Sequence, residues 1–492
     1  MEEFQFPPLT RVDKARAQAP AHDEAAVESV FFWIVGPLRT PLFIICAAIF
    51  SNMFLYGLFI GLAPWYKSKM DLTSFELGTL FSSFSMVSVV SCPIVGLLLR
   101  ELPYKSSFIF GGVLCAVSAL LMAVSETFFA LLLARFLHGL GGTVVWLAGP
   151  SIVCELFGVQ SRTKAMGVVY IYATAAFLVG TVLGGNSFDW TGRSEPILIS
   201  VTIMNLFTTG LLITSLPSDR SYDEYEEAGY TPATSTHGHG AHSWGEEAII
   251  ASQDTSKSDT EYLAESGWEI YKELWNSHTV RLLLVSVFLY STTNIIVQAF
   301  IPSWVKAYLH ISVSGGADLY ALLLVAKVAS QPFFGRLTER IGPNMVSGVG
   351  LIAYGLTLPM LPMAETVGAI LFTYTLLGLT MTATILPTFI SLSNQVELIR
   401  HKSRRTPLIA NTMWLFSFML GAVVSPMIVG RLLDYIDTAS YFSGHSARFY
   451  HTAILGFLGA VLGLLHGPYF IYCTRADDAA ALEKVKGFKP ML

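Results

Sequence analysis

Residues 317–342, ADLYALLLVAKVASQPFFGRLTERIG, join an apolar run of membrane-crossing length to a short arginine-rich loop. A helix needs roughly 20 mostly apolar residues to cross the hydrocarbon core of a bilayer. One lysine, Lys327, interrupts the run between Asp318 and Gly335. At about 1.5 Å per residue it would lie roughly 12–14 Å from either end. The stretch therefore predicts a membrane helix that holds a cation near mid-membrane.

Similar runs occur throughout the chain. The 492 residues are 53% hydrophobic and 13% charged, which is about half the charged fraction of a soluble domain. A soluble protein with buried helices would need charged outer helix faces, and these runs lack them. We therefore predict an all-α membrane protein. Its twelve transmembrane helices lie near 41–64, 75–99, 106–125, 127–153, 165–187, 195–216, 280–305, 317–335, 345–363, 367–391, 407–430 and 450–473.

The twelve runs form two groups of six around a long polar segment. That segment is rich in Asp, Glu, Ser, Thr and Gly, a composition that cannot bury a core and favours disorder. Two six-helix bundles with a disordered joint are the plan of transporters built from parallel repeats. The predicted parts are a cytoplasmic N-terminal tail (1–38), a first bundle (39–216), a disordered cytoplasmic loop (217–275), a second bundle (276–474) and a cytoplasmic C-terminal tail (475–492).

The distribution of positive charge predicts the orientation of the helices. If both termini are cytoplasmic, the inner segments contain 22 of the 30 Lys and Arg residues and the outer loops contain 6. An excess of Lys and Arg on the cytoplasmic side is what the positive-inside rule describes. We therefore expect both termini to face the cytoplasm. The membrane is either the plasma membrane or that of an intracellular organelle.

Composition also disfavours several classes of function. The net charge of −5 argues against a nucleic-acid partner, and the five cysteines form no CxxC pair, so neither a disulfide framework nor a zinc site is predicted. The run His237-Gly238-His239-Gly240-Ala241-His242 could bind a transition metal, but we interpret it as a spacer. We predict no metal and no cofactor. The expected partners are a small-molecule substrate and the bilayer lipids, and we expect a monomer.

The loop Gly335-Arg336-Leu337-Thr338-Glu339-Arg340-Ile341-Gly342 resembles the loop motif of the major facilitator superfamily, G-x-L-x-D/E-R-x-G. Gly335 would permit close helix contact, while Glu339 and Arg340 would pair with a neighbouring helix end and hold one gating state. A degenerate copy lies in the first half at residues 96–105, with Arg100 where the acid is usual. The alternative is a basic loop that only obeys the charge rule.

Two further segments resemble the signatures of proton-coupled drug antiporters. Residues 135–142, RFLHGLGG, resemble R-x-x-Q-G-x-G, and the resemblance implies that Arg135 takes part in proton transfer or helix contacts. A structural role, in which Arg135 binds backbone carbonyls of the first or second helix, is an equal alternative. Residues 176–185, AFLVGTVLGG, resemble G-x-x-x-G-P-x-x-G-G. Gly180, Gly184 and Gly185 would allow tight helix crossing there.

The membrane region as a whole resembles vesicular amine transporters and their relatives. Ser51-Asn52-Met53 with Pro64 resembles the D-N-M…P pattern of helix 1, and Ile301-Pro302-Ser303-Trp304 resembles the P-x-W end of helix 7. The resemblance implies the major facilitator fold. The membrane acids of that family are replaced here, by Ser51, Gln298, Thr382 and Leu415. An organic cation needs a carboxylate or an aromatic cage in a low-dielectric cavity, so amine transport by that mechanism is disfavoured.

Lys327 is the main candidate for substrate binding. Facing lipid at mid-membrane would cost it at least about 2.5–3.5 kcal/mol, so we expect it to face a central cavity, where substrate sites of such folds lie. There it could bind an anionic group or titrate. The alternative is that it snorkels or pairs with a polar neighbour. Further candidates for the cavity wall, each also suited to interhelical hydrogen bonds, are Asn52, Tyr56, Asn294, Gln298 and Asn411.

These features together predict a secondary active transporter that works by alternating access. No GxxxxGK[ST] segment occurs, so a solute or proton gradient would supply the energy. The predicted substrate is a small organic anion or zwitterion. The alternatives are proton-coupled drug or amine efflux and, from a different class, a non-transporting sensor or receptor on the same fold. An intramembrane enzyme is disfavoured because no paired acids, His cluster or Ser/Lys dyad lies at membrane depth.

Overall fold

A computed structural model describes residues 39–99, 102–156, 159–191, 193–215, 267–309, 313–399, 406–443 and 447–475. Within these ranges the chain is helical, with twelve long helices and three short helical segments. The first half contains α1 (Arg39–Lys69), α2 (Ser74–Leu98), α3 (Tyr104–Val124), α4 (Phe128–Leu156), α5 (Val159–Thr191) and α6 (Glu195–Ser215). The second half contains α7 (His278–Leu309), α8 (Val313–Ile341), α9 (Pro343–Thr357), α10 (Val367–Ile399), α11 (Thr406–Ser443) and α12 (Ala447–Ala460). A single turn (Met360–Met363) follows α9, and a π-helical segment (Val461–His466) continues α12.

Eleven helices of the described ranges are long and apolar enough to cross a membrane. Large apolar side chains such as Val90, Phe129 and Phe457 lie exposed on their outer faces, where lipid would cover them. Eleven of the twelve predicted spans thus correspond to helices that are long and apolar enough to cross a membrane. The predicted eighth span is a 29-residue helix, α8, but it falls short in apolarity. Its polar residues, Lys327 and Gln331 among them, face a cavity and other helices rather than lipid.

Short connections join sequential helices. At the start of α2, the Thr73 hydroxyl accepts a hydrogen bond from the Glu76 backbone N–H, and the Glu76 carboxylate accepts one from the Thr73 N–H. This capping box satisfies two backbone donors that a helix start leaves unpaired. Between α8 and α9, Gly342 adopts a φ of 96° and Pro343 begins the next helix. Glycine tolerates that left-handed conformation without steric cost.

The helix Gly267–Asn276 corrects one prediction, because it occupies the end of the segment expected to be disordered up to residue 275. Its apolar residues recur at helical spacing, with Ile270 and Leu274 buried and Trp275 exposed. This amphipathic pattern stabilises the helix by packing one face on the protein. The rest of the loop, including His237, His239 and His242, lies outside the described residues, as do the two predicted tails apart from Arg475.

The two halves contact each other mainly through two helix pairs, α2 with α11 and α5 with α8, with fewer contacts between α4 and α11. Near the first turn of α2, the Arg431 guanidinium lies 4.6 Å from the centre of the Phe75 ring. Near the other end, the Cys92 thiol lies 3.3 Å from the Thr412 carbonyl oxygen. The Asn186 amide of α5 donates a hydrogen bond to Asp318 of α8 at 3.0 Å. The halves therefore meet near both ends of α2 and between α5 and α8.

Candidate functional site

A central cavity of about 180 Å³ lies between the two halves. Helices of both halves form its wall, so a relative movement of the halves would change its shape. None of its described lining residues is an aspartate or a glutamate. Its aromatic lining residues are Tyr56, Phe84, Trp146, Tyr170, Phe177, Tyr290, Trp414 and Phe418, and its polar aliphatic ones are Ser85, Thr174, Asn294, Gln298, Lys327, Gln331 and Thr382.

Lys327 of α8 is the cation of this cavity among the described lining residues. Its ammonium lies 3.4 Å from the Tyr290 hydroxyl on α7, which accepts the hydrogen bond. The backbone carbonyl of Lys327 accepts a hydrogen bond from Thr382 of α10 at 3.3 Å, and this contact holds α8 against α10. Within the described part of the chain, no carboxylate forms an ion pair with the ammonium. Lys327 thus lies where the sequence predicted, and its role in binding stays a prediction.

Three amide side chains provide buried acceptors beside Lys327. Asn294 and Gln298 lie on α7, one and two turns after Tyr290, and Gln331 lies one turn after Lys327 on α8. The amide nitrogen of Gln331 donates to the Thr174 hydroxyl of α5 at 2.9 Å, across the two halves. The amide oxygens of Asn294, Gln298 and Gln331 are buried and have no hydrogen-bond partner. Unpaired buried acceptors are costly, so the wall would gain from a ligand that donates hydrogen bonds.

Aromatic rings form another part of the cavity wall. Trp146 and Tyr170 lie with their ring centres 6.1 Å apart. Trp414 stacks on Phe418 at 5.4 Å, with an angle of 15° between the rings. The indole N–H of Trp414 donates to the Thr388 hydroxyl, which fixes the ring in place. This side therefore offers a rigid, flat apolar surface to a ligand.

Two predicted cavity residues lie elsewhere, which corrects the sequence-based set. Asn52 is fully buried within the first half and donates to the Cys115 thiol at 3.2 Å. Asn411 of α11 donates to the carbonyl of Trp146 at 2.7 Å and so joins the two halves. Neither lines the cavity. Both follow the alternative considered from the sequence, in which a membrane amide forms an interhelical hydrogen bond.

Arg135 of α4 is fully buried and lies behind the cavity wall. Its Nε donates to the Leu80 carbonyl of α2 at 3.3 Å. Its guanidinium lies over the rings of Phe59 and Phe84, at 4.1 and 5.2 Å from their centres. The bond to the Leu80 carbonyl is the contact that the structural alternative for Arg135 predicted, in which Arg135 binds a backbone carbonyl of the first or second helix.

The remaining motif residues lie away from the cavity. A Cβ atom on Gly184 of α5 would lie 2.5 Å from the Leu58 carbonyl oxygen of α1, and one on Gly61 would lie 2.5 Å from the Gly185 nitrogen. Gly180 faces the carbonyl of Phe54 in the same way. These glycines therefore permit the close approach of α1 and α5.

The loop after α8 differs from expectation at its first residue. A Cβ atom on Gly335 would meet nothing within 4 Å among the described residues, so within that part of the chain the predicted close helix contact of Gly335 is not present in this conformation. Glu339 and Arg340 are exposed at the end of α8. Their pairing with a neighbouring helix end stays a prediction.

Sequence reasoning missed three residues near the cation, namely Tyr290, Gln331 and Trp414. Helical spacing was a usable signal for the first two. Tyr290 precedes Asn294 by four residues, and Gln331 follows Lys327 by four, so each shares a helix face with a predicted site residue. Trp414 lies on α11, and no sequence pattern distinguishes its cavity position from ordinary packing.

The fold and cavity together define a class, that of integral multi-pass membrane proteins built from two helical halves around a central site. A family model described as Major Facilitator Superfamily matches residues 45–278 and 282–471. The chain belongs to the Major Facilitator Superfamily.

The similar proteins of known sequence match the chain only in part. A probable vesicular acetylcholine transporter-B of Danio rerio is 24% identical over 181 residues, 33% of this chain and 36% of the relative. The synaptic vesicular amine transporter of Bos taurus is 27% identical over 132 residues, 27% of this chain and 26% of the relative. The matches thus span about a third or less of these relatives.

Solved structures match over most of the chain. A bacterial homolog of the human lysosomal transporter Spinster, inward-facing and unoccupied, aligns with a TM-score of 0.63 at 12% identity, covering 89% of this chain and 97% of that one. The human organic anion transporter MFSD10 aligns with a TM-score of 0.61 at 12% identity, covering 88% and 100%. At this identity the likeness describes the fold alone.

Proposed function

We propose that the chain is a secondary active transporter that moves a small organic anion or zwitterion through the central cavity by alternating access. The observation that supports this substrate class is that Lys327 lines the cavity while none of the other described lining residues is a carboxylate. A cation in such a cavity has no charge to oppose it until an anion enters. An anionic group within reach of Lys327 would form a charge-assisted hydrogen bond.

The other parts of the wall support a ligand with further functional groups. The unpaired amide oxygens of Asn294, Gln298 and Gln331 suit N–H or O–H donors on the ligand. The rings of Trp414 and Phe418 suit a flat apolar portion. The class that fits these groups is therefore an aromatic acid that also carries an amine, amide or hydroxyl group.

Ligand-induced thermal stabilisation of the purified chain tests the charge preference before a substrate is known. The probes are matched pairs with one ring and opposite charge, such as benzoate against benzylamine and 4-hydroxyphenylacetate against tyramine. We expect the carboxylates to stabilise the chain more than the amines. Lys327→Gln should remove the preference, and Lys327→Arg should keep most of it. A hydrogen bond to a charged group contributes about 1.5–3 kcal/mol, so the glutamine variant should weaken carboxylate binding by roughly 10–150-fold.

Lys67→Gln is the matched control for the loss of one lysine. Lys67 lies at the end of α1, outside the cavity wall, and donates to the Ser74 hydroxyl. This variant should bind carboxylates as the parent chain does. Equal carboxylate binding by the parent and Lys327→Gln would refute the anion assignment. Uptake of the best ligand into proteoliposomes, with and without a pH gradient, then tests transport itself.

The second candidate function is proton-coupled efflux of drugs or amines. The similarity to a synaptic vesicular amine transporter favours it, and so do the segments at Arg135 and Gly180. An aromatic wall could hold an ammonium group by cation–π contacts. In the thermal test, stronger stabilisation by the amines, unchanged by Lys327→Gln, would favour this function over anion transport.

A further inference from the structure

Arg135 and His138 form a buried basic pair inside the first half of the protein. Both side chains are fully buried, one helical turn apart on α4. The Arg135 Nη1 atom lies 3.2 Å from His138 Nδ1. The other guanidinium nitrogen, Nη2, is buried and has no hydrogen-bond partner among the described residues, while the backbone of Asn52 faces the His138 ring. A packed site that leaves a buried guanidinium nitrogen unpaired is costly, and this indicates a role beyond packing.

The contact between the two side chains determines the protonation state of His138. A guanidinium has only donors, so Nδ1 must accept the hydrogen bond and carries no proton. The ring is therefore neutral, and its single proton is on Nε2. A second proton can enter only at Nδ1, where it would point at the N–H of Arg135. Protonation of His138 and its contact with Arg135 therefore exclude each other.

The surroundings of His138 provide no counter-charge in the described part of the chain. Arg135 is the charged group beside it on its own helix. From α1 the Tyr56 ring faces it, with ring centres 6.4 Å apart, and from α2 the Phe84 ring lies 4.9 Å away. Asn52 presents its backbone to the ring and its side chain to the Cys115 thiol of α3. A protonated His138 would thus face the Arg135 guanidinium, with only the neutral Tyr56 phenol and the neutral Cys115 thiol as further titratable groups nearby. Arg135 would therefore have to move away.

We propose that His138 is a proton-binding site and that it takes up its proton only when Arg135 has left it. This role goes beyond the proposed transport of an anion or zwitterion, because it identifies a residue through which a proton gradient can act. It does not depend on the identity of the substrate. The imidazole is suited to it, since its charge changes between about pH 5 and 8.

The contacts of α2 connect this site to the interface between the halves. Arg135 binds the Leu80 carbonyl of α2, and the Ser88 hydroxyl of α2 donates to the Gly139 carbonyl of α4 at 3.2 Å. On its other side α2 contacts α11, where the Ser82 hydroxyl donates to the Val423 carbonyl at 2.8 Å. Displacement of Arg135 releases one of the bonds that hold α2 on α4. Protonation of His138 therefore loosens α2 at the surface where the halves meet.

The accessibility of Cys92 measures that loosening. Cys92 is fully buried between α2 and α11, so its alkylation requires the two helices to part. The full chain in nanodiscs is treated with N-ethylmaleimide from pH 8 to pH 5, and labelling of Cys92 is quantified by peptide mass spectrometry. The variants are His138→Asn, whose side-chain oxygen can still accept a bond from Arg135, and His138→Gln. Because thiol reactivity itself varies with pH, the rate is expressed relative to His138→Asn at each pH.

We expect this relative rate in the parent chain to rise by roughly tenfold between pH 8 and pH 5, because the protonated share of a histidine grows as the pH falls. His138→Gln should stay flat. His466→Gln is the matched control, because His466 is a partly buried membrane histidine of the other half, bonded to Ser286. It should keep the parent's rise. A parent rate that does not rise, an equal rise in His138→Gln, or a flat profile in His466→Gln would each overturn the assignment to His138.

Discussion

Replacing Gly184 of α5 with alanine tests the packing of the first half most directly. The added Cβ would lie 2.5 Å from the Leu58 carbonyl oxygen and 3.2 Å from the Gly61 Cα of α1. Ordinary contact begins at 3.4 Å, so the two helices must separate by about 0.9 Å. Both neighbours are backbone atoms, which no change of rotamer can move aside. The strain must therefore spread along the α1–α5 interface.

The magnitude follows from a comparison with Gly167→Ala in the same helix. A Cβ atom on Gly167 would meet nothing within 4 Å. Both substitutions gain the same helix propensity, about 1 kcal/mol, and only Gly184→Ala overpacks the interface, at a cost of about 1–3 kcal/mol. The difference between the two variants thus isolates the steric term. We expect Gly184→Ala to unfold at a temperature about 2–8 °C below that of Gly167→Ala.

Differential scanning fluorimetry of the detergent-solubilised variants measures this difference. The parent chain should unfold near or slightly below Gly167→Ala. If Gly184→Ala unfolds at or above the temperature of Gly167→Ala, then α1 and α5 do not approach as closely as described. In that case the glycine segment would have no packing role at residue 184.

Three further predictions concern contacts between the halves. Asn411→Leu removes the hydrogen bond to the Trp146 carbonyl. Chemical denaturation should show a free energy of unfolding lower by about 0.6–1.5 kcal/mol. An unchanged value would mean that the bond contributes nothing. Gln331→Leu and Thr174→Val each break the same hydrogen bond between the halves. A double-mutant cycle on thermal stability should therefore give a coupling energy of about 0.5–1.5 kcal/mol. Additive effects of the two substitutions would contradict the contact. Gly96→Ala puts a Cβ 2.7 Å from the Thr412 methyl group. It should part α2 from α11 and speed the alkylation of Cys92, and a rate equal to the parent's would argue against a tight interface there.

The sequence predicted the helices well because membrane insertion imposes a simple pattern. Each spanning helix must satisfy its backbone hydrogen bonds internally and present apolar side chains to lipid, so length and hydropathy suffice to locate it. The exception, α8, shows the limit of this signal. A helix that faces a cavity and its neighbours can carry Asp318, Lys327 and Gln331, and its hydropathy falls accordingly.

The composition of the site was less predictable, because it depends on which face each polar residue takes. Lys327, Asn294 and Gln298 line the cavity, while Asn52 and Asn411 form hydrogen bonds between helices. All five are polar residues within apolar runs, and the sequence does not distinguish them. Only the rotation of each helix against its neighbours does so, and that rotation is determined by packing such as the close approach at Gly61 and Gly184.

Two cations within the described membrane helices, Arg135 and Lys327, differ in how their charge is satisfied, and this difference supports the choice of Lys327 as the binding residue. Arg135 has a backbone carbonyl, an imidazole nitrogen and aromatic ring faces around it. Lys327 has one phenolic hydroxyl and an open cavity. Removing a charge from water is costly unless a partner compensates for it, so the lysine gains far more from an incoming anion than the arginine does. A ligand that neutralises Lys327 would also compete for the hydrogen bond between its ammonium and Tyr290 of α7. The proposed anion would therefore act on the contact between α7 and α8 through the Lys327 side chain.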